Sequence, residues 1–279
     1  MLEIKNLNKT YSSGFSLNNI SFRVEKGDFL LLFGEDNAGK TALLYQILGL
    51  HHFRDGEILF DEQKNIRFVP DSICMEAVTA REYFATLSKL YPEYQEEDVV
   101  DMCEYFGIDS DMMLTDMTYN ENKLVMIIGA MVTMPKLLIL DEPLNFLTAE
   151  SGKKLLGFLK FLSSRGVAIL LTSEESKEIW GYCNRYIRIQ EGTIVSQGNI
   201  ADYLGVQRAV TINVAEASRA QSLLGNPVAK TNQNVTFLYD KKKQTKSLAD
   251  ILNLLKVSDI EIENLTLEEM LDKDYARWM

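Results

Sequence analysis

Short apolar runs alternate with helical stretches along most of the chain. Met1–Leu7 and Phe15–Val24 alternate apolar and polar residues on either side of a polar turn, which predicts two half-buried strands. Phe29-Leu30-Leu31-Leu32-Phe33 is apolar throughout and ends in Gly34, the pattern of a strand buried on both faces. A helix is predicted from Lys40 to about Leu50. Glu57–Phe60 and Ile66–Val69 read as further strands, and Leu137–Leu140 and Val167–Leu171 as two more buried ones. The amphipathic segment Ala149–Ser164 lies between the last two. Such alternation predicts an α/β domain with a mostly parallel sheet.

From Ser72 to Met117 the period becomes helical and strand signals vanish, as in a helical insertion. Beyond Gly205 a second unit begins, with strands expected at Ala209–Val214, Val235–Tyr239 and Ile260–Ile262. Helices are expected at Ala217–Leu224, Lys246–Leu255 and Leu267–Lys273. The division is therefore 1–204 for the main domain and 205–279 for a small α+β appendage. No internal repeat or low-complexity segment interrupts this plan.

A length of 279 residues with 46% apolar and 25% charged residues is ordinary for one large or two modest globular domains. With 29 basic and 40 acidic residues the net charge is −11, which argues against a general affinity for nucleic acid. Lys241-Lys242-Lys243 with Lys246 is the one dense basic cluster and reads as a solvated turn before a helix. Cys74, Cys103 and Cys183 are odd in number and widely spaced, which argues for a reducing compartment and against a zinc or disulfide framework. The N-terminus shows no signal-peptide pattern. No run approaches the ~20 apolar residues of a membrane span. Leu124–Leu140 comes closest but is broken by Gly129, Pro135 and Lys136, so a membrane role is expected to come through a partner.

Gly34-Glu35-Asp36-Asn37-Ala38-Gly39-Lys40-Thr41 follows the spacing of a phosphate-binding loop, between a predicted strand and a predicted helix. Its glycines let successive N–H groups turn inward, and the helix points its positive end at the same anion. Lys40 supplies charge to the outer phosphates and the Thr41 hydroxyl is a Mg²⁺ ligand. Asn37 stands where glycine is usual, and tolerates a left-handed backbone better than most residues. Glu35 and Asp36 bring negative charge and must point outward. About a hundred residues on, the apolar strand Leu137–Leu140 ends in Asp141-Glu142-Pro143. Asp141 is placed to reach the same Mg²⁺ and Glu142 to polarise an attacking water.

Together these motifs resemble the ABC-type ATPases, over nearly the whole chain. The resemblance implies a P-loop NTPase fold of ABC type, with a parallel core sheet, an antiparallel β subdomain, a helical insertion and a C-terminal α+β appendage. It puts Tyr11 where an aromatic stacks on adenine, and Gly56-Glu57-Ile58 and Glu191–Gly198 in hairpin segments. The appendage ending in Leu267-Glu268-Glu269-Met270-Leu271 resembles that of an exporter branch carrying drugs, lantibiotics and peptide toxins. The cofactors implied are ATP and Mg²⁺. The partners are membrane-spanning subunits and a second ATPase subunit, at the cytoplasmic face of the cell membrane.

Four further family motifs are eroded. Asp71 stands where a Mg²⁺-sensing glutamine is usual; an aspartate there can still bind Mg²⁺ or its water, though it reaches less far. The signature Leu-Ser-Gly-Gly-Gln aligns with Met117-Thr118-Tyr119-Asn120-Glu121, in which Thr118 keeps a hydroxyl for a partner's γ-phosphate while Tyr119 and Asn120 replace glycines. Thr148 takes the place of an aspartate. Glu174 falls at the switch histidine, and the only histidines, His51 and His52, are remote surface residues. An ionised glutamate repels the γ-phosphate it faces. Two readings follow: a transport ATPase paired with a different, intact subunit, or a regulatory subunit that binds nucleotide but turns it over weakly. A soluble ABC protein acting on nucleic acid is disfavoured, since it needs a coiled coil or tandem ATPase units.

Overall fold

The computed structural model describes residues 2–52, 55–60, 65–73, 77–174, 179–202, 207–213, 215, 217–227, 229–231, 233–240, 244–255 and 260–264. Its chain separates into two compact units, Met1–Gly198 and Asn199–Met279. The expected helix at Leu267–Lys273, the cluster Lys241–Lys243 and Cys74 lie outside the described residues.

In the first unit, β1 (Leu2–Thr10), β2 (Ser16–Val24) and β4 (Asp55–Phe60) form an antiparallel sheet ordered β2-β1-β4. A six-stranded sheet contains β3 (Phe29–Phe33), β5 (Ile66–Val69), β6 (Leu137–Leu140), β7 (Ala168–Ser173), β8 (Arg185–Gln190) and β9 (Thr193–Asn199), in the order β5-β6-β7-β3-β8-β9. The pairings from β5 through β8 are parallel. Helix α1 (Lys40–Ile47) buries Leu43, Leu44 and Ile47 between the two sheets, in one core with Ile4, Ile20, Leu30, Ile139 and Leu170. Strands β3, β6 and β7 are buried nearly throughout because they are covered on both faces.

Three helices follow β5: α2 (Ala80–Leu90), α3 (Glu96–Phe106) and α4 (Tyr119–Val132). Thr79 and Glu82 cap α2 reciprocally, a capping box that fixes where the helix starts. A Cβ on Gly129 of α4 would lie 2.8 Å from Leu87 and Tyr83 of α2, so glycine permits these helices to approach. The helical stretch thus runs beyond Met117, into a helix that leads directly to β6. Helix α5 (Ala149–Ser164) joins β6 to β7, as the pattern predicts. Strand β8 was not foreseen: Arg185 and Arg188 interrupt its apolar run, and Arg185 is drawn in by an ion pair with Asp28.

The second unit places β10 (Gln207–Asn213), α6 (Ala217–Leu224), β11 (Ala229–Lys230), β12 (Asn234–Asp240), α7 (Leu248–Leu255) and β13 (Ile260–Asn264) in succession. Its sheet order, β11-β12-β10-β13, is that of a split β-α-β unit of ferredoxin-like topology. Val210, Ile212, Val235 and Phe237 form its core with Ala220, Leu224, Ile251 and Leu255 from the helices. The two-residue β11 was missed because a strand so short carries no period.

Candidate functional site

At Gly34 the buried strand β3 gives way to a loop that turns through Asn37 (φ 60°) and Gly39 (φ 109°) into α1. A Cβ on Gly34 would lie 2.2 Å from the Ile189 carbonyl oxygen, so the approach of β8 excludes any side chain there. Gly39 is held twice over, by its left-handed backbone and by the Phe15 ring, 2.7 Å from where a Cβ would stand. Asn37 takes the left-handed conformation that asparagine tolerates. Glu35, Asp36 and Asn37 are exposed, as expected of the acidic pair, whereas Ala38, Gly39 and Lys40 are buried.

Parallel pairing of β6 with β7 brings the end of the acidic strand beside this loop. Asp141 is buried; its Oδ2 accepts from Thr41 Oγ1 at 2.9 Å and its Oδ1 from Thr172 Oγ1 at 2.6 Å. Thr172 Oγ1 in turn accepts from the Glu142 amide at 2.8 Å. Glu142 adopts a left-handed backbone (φ 43°) that turns its carboxylate toward Lys40, with Oε1 3.3 Å from Nζ. That contact is an ion pair, and the buried Oε1 has no further partner. Lys40 donates to the Gly34 and Glu35 carbonyls at 2.7 and 3.2 Å. Burial pushes the Glu142 carboxyl above the usual carboxylate range; the nearby Lys40 charge opposes this, and Asp141 and Glu174 reinforce it.

Lys40, Thr41 and Glu142 face a cavity of about 460 Å³, whose lining also includes Tyr11, Asp36 to Gly39, Asp71 and Glu174. Residues from five separate sequence motifs therefore meet at one place. Asp36 edges the cavity although its side chain is solvent-exposed. Tyr11 donates its hydroxyl to the Ala42 carbonyl at 3.2 Å and accepts from Gln46 at 2.9 Å, which leaves its ring at the mouth beside Phe15. His51 is exposed but not remote: its ring stands edge-on to Tyr11, 5.8 Å between centroids. Thr41 Oγ1 and Asp141 Oδ2 are hard oxygen donors suited to Mg²⁺, and the orphaned Glu142 oxygen fits a water or cation held beside them. Phe15 and Asn145 line the cavity and Thr172 braces Asp141 and Glu142 behind it, roles that the sequence reading gave to none of them.

Residues 17–145, from β2 through the loop and the acidic strand, match the family described as ABC transporter. Over that segment the chain is similar to the ABC-type ATPases. It is similar to the ribose import ATP-binding protein RbsA of Clostridium tetani, 26% identical over 72% of this chain and 44% of that protein. It is also similar to the spermidine/putrescine import ATP-binding protein PotA of Mycoplasma capricolum, 26% identical over 76% of this chain and 68% of that protein. A dimeric ATP-binding cassette solved in a post-hydrolysis state with ADP and Pi shares the fold. Its TM-score is 0.63 at 19% identity, covering 72% of this chain and 99% of that one. The chain spans about half the length of the ribose-import relatives.

The eroded motifs have structural work of their own. Thr118 is the N-cap of α4, with a capping box: it accepts from the Glu121 amide and donates its hydroxyl to Glu121 Oε2 at 2.7 Å. The hydroxyl expected for a partner's phosphate is thus engaged within its own helix end. The two hydrogen bonds from Thr118 hold the Glu121 carboxyl below the usual range. Tyr119 donates to the Asp71 carbonyl at 2.8 Å and packs edge-on against Phe146, 4.9 Å between centroids. Asn120 is half-buried with an unpartnered side-chain oxygen. Thr148, at the aspartate's place, caps α5 by accepting from the Ser151 amide at 3.2 Å. None of Thr118 to Glu121 lines the cavity.

Proposed function

We propose that this chain binds ATP with Mg²⁺ at the Gly34–Thr41 loop and hydrolyses it to drive an ABC transporter. The observation that carries the reading is the meeting of Lys40, Thr41 and Glu142 at one cavity, with buried Asp141 bonded to Thr41 just behind it. Lys40 would exchange its contacts with the Gly34 and Glu35 carbonyls for the outer phosphates. The loop amides and the start of α1 cradle the remaining charge. Thr41 and Asp141 would hold Mg²⁺, which when bound neutralises developing charge on the phosphates. Glu142, half-buried with its Oε1 held by the Lys40 ion pair, would take a proton from the attacking water.

The partners in this reading are membrane-spanning subunits and a second, different ATPase subunit, at the cytoplasmic face of the cell membrane. No helix among the described residues is long and apolar enough to cross a membrane. The names of RbsA and PotA, ATP-binding proteins of import, support a role in transport, and the dimeric state of the similar cassette supports pairing with a second ATPase subunit. A different partner is favoured because Thr118 is committed to capping and Tyr119 fills a glycine's place. Export of a peptide or drug rests on the appendage alone, whereas the two named relatives serve import.

A second reading, a regulatory subunit that binds ATP and barely hydrolyses it, draws on Glu174, whose negative charge acts on Glu142 at the same cavity. The test compares wild type, Glu142→Gln and Lys40→Ala, each co-purified with its membrane subunits. The first reading expects Glu142→Gln to lose ATPase activity while keeping ATP affinity. Equal rates in wild type and Glu142→Gln would favour the second. Unchanged ATP affinity in Lys40→Ala would defeat both.

A further inference from the structure

The side chain of Lys123 on α4 is fully buried, with no exposed surface. Its ammonium donates to the Pro70 carbonyl at 2.8 Å, the Asp71 carbonyl at 2.8 Å and the Asp141 carbonyl at 3.5 Å. An ammonium has three donors, and all three are matched by backbone oxygens. The Asp71 carboxylate lies 3.8 Å away and is the nearest opposite charge. Burial lowers the lysine's pKa, while the charges of Asp71, Asp141 and Glu142 work against that loss.

Two further side chains converge on Asp71. Tyr119 lies one helical turn before Lys123, on the same face of α4, and donates to the Asp71 carbonyl oxygen that Lys123 also holds. Asn145, in the loop after Glu142, donates to Asp71 Oδ1 at 3.3 Å. Asp71 itself lines the nucleotide cavity. Two of the departures from family pattern, Asp71 and Tyr119, thus meet around one buried cation that no motif predicted.

We propose that Lys123 is a positioning residue: it ties the Asp71 segment to α4 and to the end of β6, and so holds the Asp71 carboxylate at the rim of the cavity. The inference rests on the nucleotide site proposed above, and names what makes Asp71 usable there. A buried ammonium is costly unless it is fully hydrogen-bonded. The surrounding carbonyls therefore fix both Lys123 and the loop that carries them. Lys123 touches neither ATP nor metal in this reading and acts only through Asp71.

ATP binding to the full chain is measured by titration calorimetry, once with Mg²⁺ and once with EDTA. Lys123→Met keeps the apolar bulk and removes the donors. It is expected to reduce the Mg²⁺-dependent gain in ATP affinity about tenfold, the scale of one hydrogen bond to a charged group. Affinity in EDTA stays at the wild-type value. In an Asp71→Asn background the same substitution adds little, because the group it positions is already altered. Tyr119→Phe, which leaves the buried charge in place, shows the same selective loss at smaller size, and stands in if Lys123→Met fails to fold. An undiminished Mg²⁺-dependent gain in both variants overturns the proposal. A larger gain in Lys123→Met does so too, since it would mean that Lys123 merely repels the cation. So does a full tenfold loss in the Asp71→Asn background. Wild type that binds no ATP in either buffer defeats the functional reading and this inference with it.

Discussion

Thr41 and Asp141, 100 residues apart in the chain, meet through a 2.9 Å hydrogen bond. The other oxygen of Asp141 accepts from Thr172, which is wholly buried. Removing the carboxylate strands that hydroxyl, at a cost of about 1–3 kcal/mol. Asp141→Ala is therefore expected to lower Tm by about 2–12 °C, on a scale of 2–4 °C per kcal/mol for a domain of this size. It also abolishes the Mg²⁺-dependent part of ATP affinity. Calorimetry checks both, and an unaltered Tm would show that Thr172 finds another acceptor.

Two glycines give opposite expectations for the same substitution. A Cβ on Gly34 meets the Ile189 carbonyl at 2.2 Å, a backbone atom that cannot step aside. Gly34→Ala should destabilise by about 3 kcal/mol, the upper range of overpacking, because β3 and β8 must separate. Gly157 lies inside α5, where an added methyl would meet nothing within 4 Å. Gly157→Ala should stabilise by about 0.5–1 kcal/mol through helix propensity. Urea unfolding midpoints decide the matter, and two changes of the same sign would contradict it.

The apolar strands and the phosphate loop are legible in the sequence because each has a period or spacing that physics imposes. Phe29–Phe33 and Leu137–Leu140 have the same bounds in the sequence pattern and in the fold, since a strand covered on both faces tolerates few polar residues. Tyr11, Lys40, Glu142 and Glu174 stand out along the chain, and the fold gathers them around one cavity. Strand β8 is hidden by two arginines, and Lys123 by its type: a lysine four residues into a helix reads as solvated until the fold supplies three carbonyls around it. His51 shows the converse error, since distance along the chain says nothing of its place against Tyr11.

Thr118 is a helix cap in this chain, and its loss should behave as one. Thr118→Ala is expected to cost about 1 kcal/mol of stability and to leave ATP affinity of the isolated chain unchanged, since Thr118 does not line the cavity. The penalty depends on pH. The bonds from Thr118 hold Glu121 below its ordinary value of 4.5. That contribution is present above pH 4.5 and is lost as pH falls through the folded-state value. The difference between wild type and Thr118→Ala should therefore shrink in acid. A pH-independent gap would mean that the Glu121 carboxylate takes no part in the cap.

Glu174 bears on turnover through two separate effects with different signatures. Its charge adds to the burial that raises the Glu142 carboxyl, so the base is protonated at higher pH than an ordinary glutamate. ATPase activity should accordingly fall in acid with an apparent pKa above 4.5, and Glu174→Gln should move that fall to lower pH by removing a like charge. Glu174→His tests the second effect, repulsion of the γ-phosphate, because a histidine N–H can donate where a carboxylate cannot. One recovered polar contact to a transition state is worth on the order of 10²-fold in rate. The histidine variant should thus gain in kcat at about neutral pH, whereas the glutamine variant shifts mainly the acid limb. If neither substitution altered rate or pH profile, the slow step would lie elsewhere, and Glu174 would be a bystander at the mouth of the cavity.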